Sequence, residues 1–494
     1  MEIWQLSAVE VARLLRTGAV SSVEATRSVL GRIADVDPAV NAVVEVREDA
    51  ALDAARKADA RLRHGRAAGP LHGVPVTFKV NTNVAGLPTT EGVAAYKDHV
   101  AKETDPQVSS WLDAGAVLVG RTNCPPFATR WTTENDLYGA TLNPWDPAVT
   151  PGGSSGGAAV AVALGMGALA QGNDIGGSIR YPAACCGVVG MRPTPGRVPA
   201  WAGSSSHDPP MAVQAFVEQG PLARTVADLR LGLRAMESYD PRDPRAVALG
   251  SRIRPSASAS TSAAAERTRV AVVVNPGGPG LRGSTTPESA EATRTAARWL
   301  ADAGYQVDEV EQPVFGEAAE LWWKLALTEF AIGMTAEVER VGDPGFRRFF
   351  DLMFAVYREE FGEVDLAGFV AGWARRGMLR RRLSEFAERY PLVLTPVSGE
   401  PPFAMGADAE SVVRTGELMG RQWPLMSVPV LGFPALGLPV GGGTGAPLGV
   451  QVIGRPFEED AVFAAAEVIE ARAGFATPID PSPTGKSHDV AALG

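Results

Sequence analysis

The sequence predicts an α/β protein in which short buried strands alternate with helices. Three observations point there. Residues 74–80 read VPVTFKV, a short run rich in β-branched residues. Asp105 opens a helical stretch to about Ala114, Gly115 ends it, and residues 116–119 are again a strand by composition. This helix–strand alternation is the mark of a sheet covered by helices. The chain also has 494 residues, 45% of them hydrophobic and 21% charged, enough to bury a large core. Length alone suggests about three domains, although large single domains exist.

The remaining elements follow along the chain. Two helices open it, each announced by a capping box: Ser7 with Glu10, and Ser21 with Glu24. Leu14 and Leu15 give the first an apolar face; Val29, Leu30 and Ile33 serve the second. Residues 39–46 read as a strand and 50–62 as an Ala-rich helix. Pro144, Pro147 and Pro151 forbid a central strand at 144–151. A GGSSGG turn follows at 152–157, then a small-residue helix from Ala158 to about Leu169, then a second glycine turn, DIGGS, at 174–178. Residues 252–267 contain SASASTSAAA and read as a mobile surface loop. Residues 269–275 form a strand and 276–280 a turn.

Residues 315–361 hold ten aromatics in 47 positions, about three times the chain-wide 7%, and predict two or three helices. Phe346, Phe350, Phe354, Tyr357 and Phe361 recur at helical spacing on one face, as core residues do. Trp322 and Trp323 are adjacent and cannot share a direction, so one of them is the better candidate for a pocket wall. Residues 392–397 and 436–453 return to short strands and turns. Residues 424–440, broken by Pro429, Pro434 and Pro439, read as buried strands and turns, not as a membrane span.

Charge and cysteine usage narrow the function. With 46 basic and 56 acidic side chains the net charge is −10, which argues against a general nucleic-acid binder. Cys124, Cys185 and Cys186 cannot close a disulfide framework, and no Cys/His cluster has zinc spacing. The first residues alternate charge with apolar side chains and lack a secretory pattern. The expectation is a cytoplasmic enzyme, a monomer or homodimer, without metal or cofactor, whose partner is a small molecule and neither nucleic acid nor membrane.

The glycine–serine stretch admits three readings. Gly152-x-Ser154-x-Gly156 and Gly153-x-Ser155-x-Gly157 match a nucleophile elbow, but the prolines forbid the strand an elbow needs. Only His207 and His488 lie downstream, neither in a distinctive setting. A phosphate cradle would need a lysine after the glycines; Gly485-Lys486-Ser487 has Asp480 where that motif requires glycine. The third reading joins both glycine turns in one site.

The segment 150–199 supports the third. GGSSGG, then D-x-GGS-I-R, P-A, C-G-V-V-G and P-T-x-G-R-V, with Ser178 24 positions after Ser154, closely resembles the amidase signature family. HGVPVTFKVN, NPWDP before TPGG, and PLGVQVIGRPF near the C-terminus extend the likeness. The resemblance implies a mixed, twisted β-sheet sandwiched between helices in a single domain over 1–494. Its signature core would span about 60–240, a variable helical segment on the substrate side about 285–390, and closing strands about 390–475.

It further implies Ser178 as nucleophile, Ser154 as a bridging serine on a cis peptide, and Lys79 as base. A serine hydroxyl needs an adjacent proton acceptor, and a lysine serves only if burial keeps it neutral. An isolated strand lysine is ordinarily a solvated edge charge; the two serine turns change that reading of Lys79. The N–H groups of Ile175, Gly176, Gly177 and Ser178 would form an oxyanion hole, typically about 3 kcal/mol per donor. Ala128, Trp131, Ser154, Trp322 and Trp323 are the candidate substrate contacts, with Tyr138 a further candidate for the wall. Ser155 is expected either to orient Ser154 or to cap the next helix. Asp174 and Arg180 form a bracing ion pair, Cys185 and Cys186 pack, and His72 is structural. Pro126, Asn173 and Pro429 depart from the family pattern and are expected to lie clear of the three catalytic candidates.

The implied reaction is hydrolysis of a linear amide C–N bond through an acyl-enzyme, on apolar or aryl amides, with esters and carbamates as secondary substrates. The alternative is the amidase-type subunit of a tRNA-dependent amidotransferase.

Overall fold

The computed structural model describes residues 2–201, 209–248, 268–277, 284–442, 445–475 and 477–482. The expected loop at 252–267, the end of the 276–280 turn, His207 and His488 lie outside the described residues.

Among the described residues eleven strands form one mixed sheet. In chain order they are β1 Val43–Val46, β2 Pro75–Lys79, β3 Val117–Thr122, β4 Leu169–Asp174, β5 Val189–Arg192, β6 Glu218–Ala223, β7 Arg269–Val272, β8 Gln306–Glu309, β9 Leu392–Pro396, β10 Ala435–Gly442 and β11 Pro447–Gly454. Across the sheet they run β1-β3-β2-β4-β6-β5-β10-β11-β9-β7-β8. β3, β2 and β4 are parallel neighbours, as are β9, β7 and β8; antiparallel pairs join the two groups.

The period-two rule of a strand sorts the core into two layers. Val270 and Val272 of β7, Leu392 and Leu394 of β9, and Leu436 and Leu438 of β10 pack in one cluster. Ala271, Val393 and Ala435 between and beside them pack in the other. Helices Pro106–Asp113, Val226–Met236, Pro287–Asp302 and Glu459–Ala473 cover the first face; Gly156–Ala163 and Val314–Gly333 lie in the second cluster.

Local signals are realised where side chain and backbone agree. Ser7 and Ser21 make complete capping boxes with Glu10 and Glu24. The aromatic segment forms three helices, Val314–Gly333, Thr335–Val341 and Pro344–Phe361. Asp105 sits at the N-cap of Pro106–Asp113 without a capping bond; its carboxylate accepts from Asn83 N and Nδ2, both at 2.9 Å.

Two expectations are corrected. The small-residue helix ends at Ala163, and Leu169 already begins β4. Gly165 and Gly167, with φ of 78° and 157°, turn the chain between them. Residues 424–440 open with a helix, Trp423–Leu431. Pro424 occupies its first turn, where no N–H is needed. Pro429 falls near its end, and Gly432 closes it in the left-handed region with φ 71°. Being buried all round, this helix shows no 3.6-residue pattern. Pro439 lies in β10 beyond Gly437, the last residue that β5 pairs, and beside a register shift.

Candidate active site

β2 and β4 run parallel side by side, so their C-terminal ends meet at one edge, where open α/β sheets place ligands. Lys79 ends β2 and Asp174 ends β4. The backbone of Lys79 is held by Gln171, which accepts from its N–H at 3.3 Å, and by Arg121, which donates to its carbonyl at 3.1 Å.

Its side chain is fully buried, and Nζ lies 2.7 Å from Ser154 Oγ and 2.9 Å from Asn173 Oδ1. Burial pulls the Lys79 pKa down to about 8, against the opposing pull of Cys124, Asp174 and Glu91. Thus Asn173, expected to lie clear of the catalytic candidates, touches one of them. The reason is topological: position 173 becomes a neighbour of position 79 only once β4 pairs with β2. Asn173 Nδ2 donates in turn to Asn81 Oδ1 at 3.1 Å.

The two serine turns pack together. The Gly153–Ser154 peptide is cis. Ser155 neither caps the next helix nor bonds Ser154 through its side chain, since its Oγ is buried without a hydrogen-bond partner. Its N–H donates to Ser178 O at 3.2 Å instead, tying one turn to the other. Asp174 braces the second turn as expected. Arg180 Nη2 and Nε grip both carboxylate oxygens at 2.9 Å, and Gly177 N–H donates to Asp174 Oδ1 at 2.8 Å. Burial alone would raise the Asp174 pKa, but Arg180, Arg192 and the Gly177 N–H together outweigh it and hold the carboxyl below its usual range. Of the four N–H groups expected to form an oxyanion hole, that of Gly177 is therefore committed to Asp174.

Beside Ser178 opens a cavity lined by Ala128, Trp131, Ile175, Gly176, Trp322 and Trp323. Phe330, Phe349, Met353, Met419 and Met426 close it. Both tryptophans of the adjacent pair reach it: their rings meet edge to face at 4.9 Å and are long enough to converge from different directions. Phe346, Phe350 and Phe354 stay in the core, as their spacing predicts. Ser154 does not line the cavity, and Tyr138 turns away to bond Thr90. Arg130 is on the wall, but Asp408 holds it in a bidentate pair at 2.8 and 2.9 Å and Glu134 takes a third donor at 2.9 Å. Ala128 and the neighbouring Phe127 and Glu91 all have left-handed φ, 54°, 53° and 51°, uncommon for residues with a Cβ.

Sequence reasoning missed Asn173, Met353, Met419, Met426 and the Arg130–Asp408 pair. Of these only Met353 lay in the segment already marked as aromatic. His72 is structural: its Nδ1 accepts from Ala68 N–H and its Nε2 meets Ala58 O, both at 3.0 Å. Cys124, Cys185 and Cys186 are buried free thiols.

The family model described as Amidase matches residues 24–463. The chain belongs to the amidase family. This amidase is 39% identical over 473 residues to an indoleacetamide hydrolase of Bradyrhizobium diazoefficiens, covering 96% of this chain and 87% of the relative. It is 32% identical to a glutamyl-tRNA(Gln) amidotransferase subunit of Chloroflexus aurantiacus, over 93% and 94% of the two chains. Among solved structures, a bacterial aryl acylamidase of the amidase signature family superposes with a TM-score of 0.79 at 26% identity, over 96% of this chain and 97% of that one. The amidase therefore has the amidase signature fold and is an amidohydrolase acting on amide C–N bonds. No helix among the described residues is long and apolar enough to cross a membrane.

Proposed function

We propose that this amidase hydrolyses neutral amides of small aryl-bearing acids, with indole-3-acetamide the first substrate to test, through an acyl-enzyme on Ser178. The observation that carries the reading is the buried 2.7 Å contact of Lys79 Nζ with Ser154 Oγ beside an aromatic cavity that Ser178 lines.

Neutral Lys79 accepts the Ser154 proton as Ser154 accepts that of Ser178, and Ser178 Oγ attacks the amide carbon. The N–H groups of Ile175, Gly176 and Ser178 take up the charge that develops on oxygen. The relay then runs backward, from Lys79 through Ser154, to protonate the leaving nitrogen. Water activated by the same pair releases the acid. The described residues that line the cavity offer aromatic rings and thioethers but no unpaired cation, because Arg130 is already paired with Asp408 and Glu134. A charged acyl group would lie there unpaired, which is costly. The relatedness to an indoleacetamide hydrolase supports the same class. Three buried free thiols support a reducing compartment, the cytoplasm.

The test is kcat/KM for indole-3-acetamide and phenylacetamide beside acetamide and malonamic acid, with mass spectrometry of the trapped acyl-enzyme. An aryl preference of about tenfold or more is expected; a preference for the small polar amides sinks the reading. The lower relatedness to a glutamyl-tRNA(Gln) amidotransferase subunit supports a second reading, the amidase-type subunit of a tRNA-dependent amidotransferase. Turnover of simple amides by the isolated chain separates the two.

A further inference from the structure

Trp131 and Trp322 line the cavity, but the indole N–H of each ring is engaged with main chain. Trp322 Nε1 donates to Ile175 O at 2.8 Å, and Trp131 Nε1 donates to Gly176 O at 3.0 Å. These two carbonyls belong to consecutive peptides, 175–176 and 176–177. In a trans peptide the N–H points away from the carbonyl. A bond that fixes Ile175 O therefore fixes the direction of Gly176 N–H, and one that fixes Gly176 O fixes Gly177 N–H.

The two peptides are not held alike. The second is gripped at both ends, by Trp131 at its carbonyl and by Asp174 at Gly177 N–H, 2.8 Å away. The first is gripped by Trp322 at its carbonyl, and its N–H is left for a ligand. The residue between them, Gly176, has no Cβ to limit rotation. Met426 and Leu425 press on the turn: a Cβ at 176 would come 2.6 Å from Met426 Cε, and one at 177 would come 2.6 Å from Leu425 Cδ1. Such apolar contacts set position, whereas hydrogen bonds set peptide orientation.

We propose that Trp322 and Trp131 are positioning residues of the oxyanion hole: their indole N–H groups hold peptides 175–176 and 176–177 so that Gly176 N–H faces the developing oxyanion. The inference rests on the reading of Ser178 as nucleophile. Donors aimed in advance need no reorganisation as charge develops, which is where their effect on rate arises. The helix that walls the substrate pocket, Val314–Gly333, then also sets the rate of the chemical step.

Trp322→Phe keeps an aromatic wall and removes the donor. On an arylacetamide its kcat should fall about 10- to 100-fold with KM within about threefold. Affinity for phenylboronic acid, which captures a nucleophilic serine as a tetrahedral adduct, should fall in proportion. Trp131→Phe should act in the same sense but less, because Asp174 still holds its peptide. If Trp322→Phe fails to fold, 3-benzothienylalanine at 322, which replaces the N–H by sulfur at nearly the same shape, carries the same expectation. Unchanged kcat with raised KM, and unchanged boronate affinity, would show that the rings are wall only and overturn the inference. Ser178→Ala measured alongside separates the two levels: if it keeps turnover, the reading of the nucleophile fails, and the inference with it.

Discussion

The two glycine–serine turns look alike in sequence but are enclosed by different material. Around Gly152, Gly153 and Gly157 of GGSSGG the neighbours are mostly main chain, while Gly156 faces the Thr133 side chain. A Cβ at Gly153 would come 2.5 Å from Arg130 O and 2.7 Å from Thr132 O; one at Gly157 would come 2.5 Å from Asn123 N. Around DIGGS the neighbours are side chains: Met426, Trp322 and Leu425, with the indole N–H groups of Trp131 and Trp322 on its carbonyls. The first turn is locked by the fold. The second is adjusted by residues of helices that also touch the substrate cavity. A family could keep the relay constant on the first and change substrate and rate together through the second.

Removing the chemistry should have the largest effect. Ser178→Ala should abolish the acyl-enzyme, and Lys79→Ala and Ser154→Ala should each lower kcat by about a thousandfold or more while the fold persists, because members of a relay act as a unit. Burst kinetics and circular dichroism check this. Near-wild-type turnover in Lys79→Ala would remove the lysine from the mechanism.

The comparison of the turns predicts the next effect. Gly153→Ala drives a methyl into three backbone atoms that cannot move separately, and should destabilise by about 3 kcal/mol or more or prevent folding. Gly176→Ala meets first the far end of Met426, which can swing aside, and should fold with a loss of about 1 kcal/mol and roughly tenfold in kcat. Equal melting losses in the two variants would show that the distinction between backbone and side-chain walls has no mechanical meaning.

The same contrast explains how much was legible. Lys79, Ser154 and Ser178 stand in motifs whose spacing survives any fold, and the capping boxes of Ser7 and Ser21 are complete within four residues. By contrast, Trp131 and Gly176 are 45 residues apart, Trp322 and Ile175 147, and Arg130 and Asp408 278. No local pattern encodes such meetings; the sheet order makes them. β4 was hidden because residues 158–170 are small and apolar throughout, so only Gly165 and Gly167 mark where helix gives way to strand. The Trp423–Leu431 helix was hidden because burial all round erases its period and its prolines imitate a loop.

Lys79 links the turns and carries a pH signature. With its pKa near 8, kcat/KM should rise about tenfold per unit up to pH 8 and level off above it. The linkage to stability has a definite sign. The folded pKa, about 8, lies below the ordinary lysine value of 10.5, so between the two the unfolded chain binds more protons and stability rises with pH. Below pH 8 the whole penalty of the buried ammonium is present. Lys79→Met should therefore stabilise the inactive protein by about 1–3 kcal/mol at pH 7, and by less at pH 10. Urea melts at both values check it; a loss of stability at pH 7 contradicts the buried-charge account.

The smallest expected effect separates wall from core among neighbouring rings. Phe349 and Phe350 are 3% and 4% exposed, so burial does not distinguish them. Their surroundings do. Phe349 lines the cavity, with the Arg130 guanidinium 5.5 Å over its ring, whereas Phe350 packs on Phe354 at 4.7 Å within the helix face of Phe346. Phe349→Leu should leave the wall short of ring surface and lower kcat/KM for an arylacetamide about threefold to tenfold, with acetamide hardly affected. Phe350→Leu should shift neither ratio by more than about twofold while costing about 1–2 kcal/mol of stability, the scale of a reduced core ring. The pair is informative because each variant is the other's control. A specificity change in Phe350→Leu, or none in Phe349→Leu, would mean that the substrate enters from a different side of the Pro344–Phe361 helix than the cavity beside Ser178 indicates.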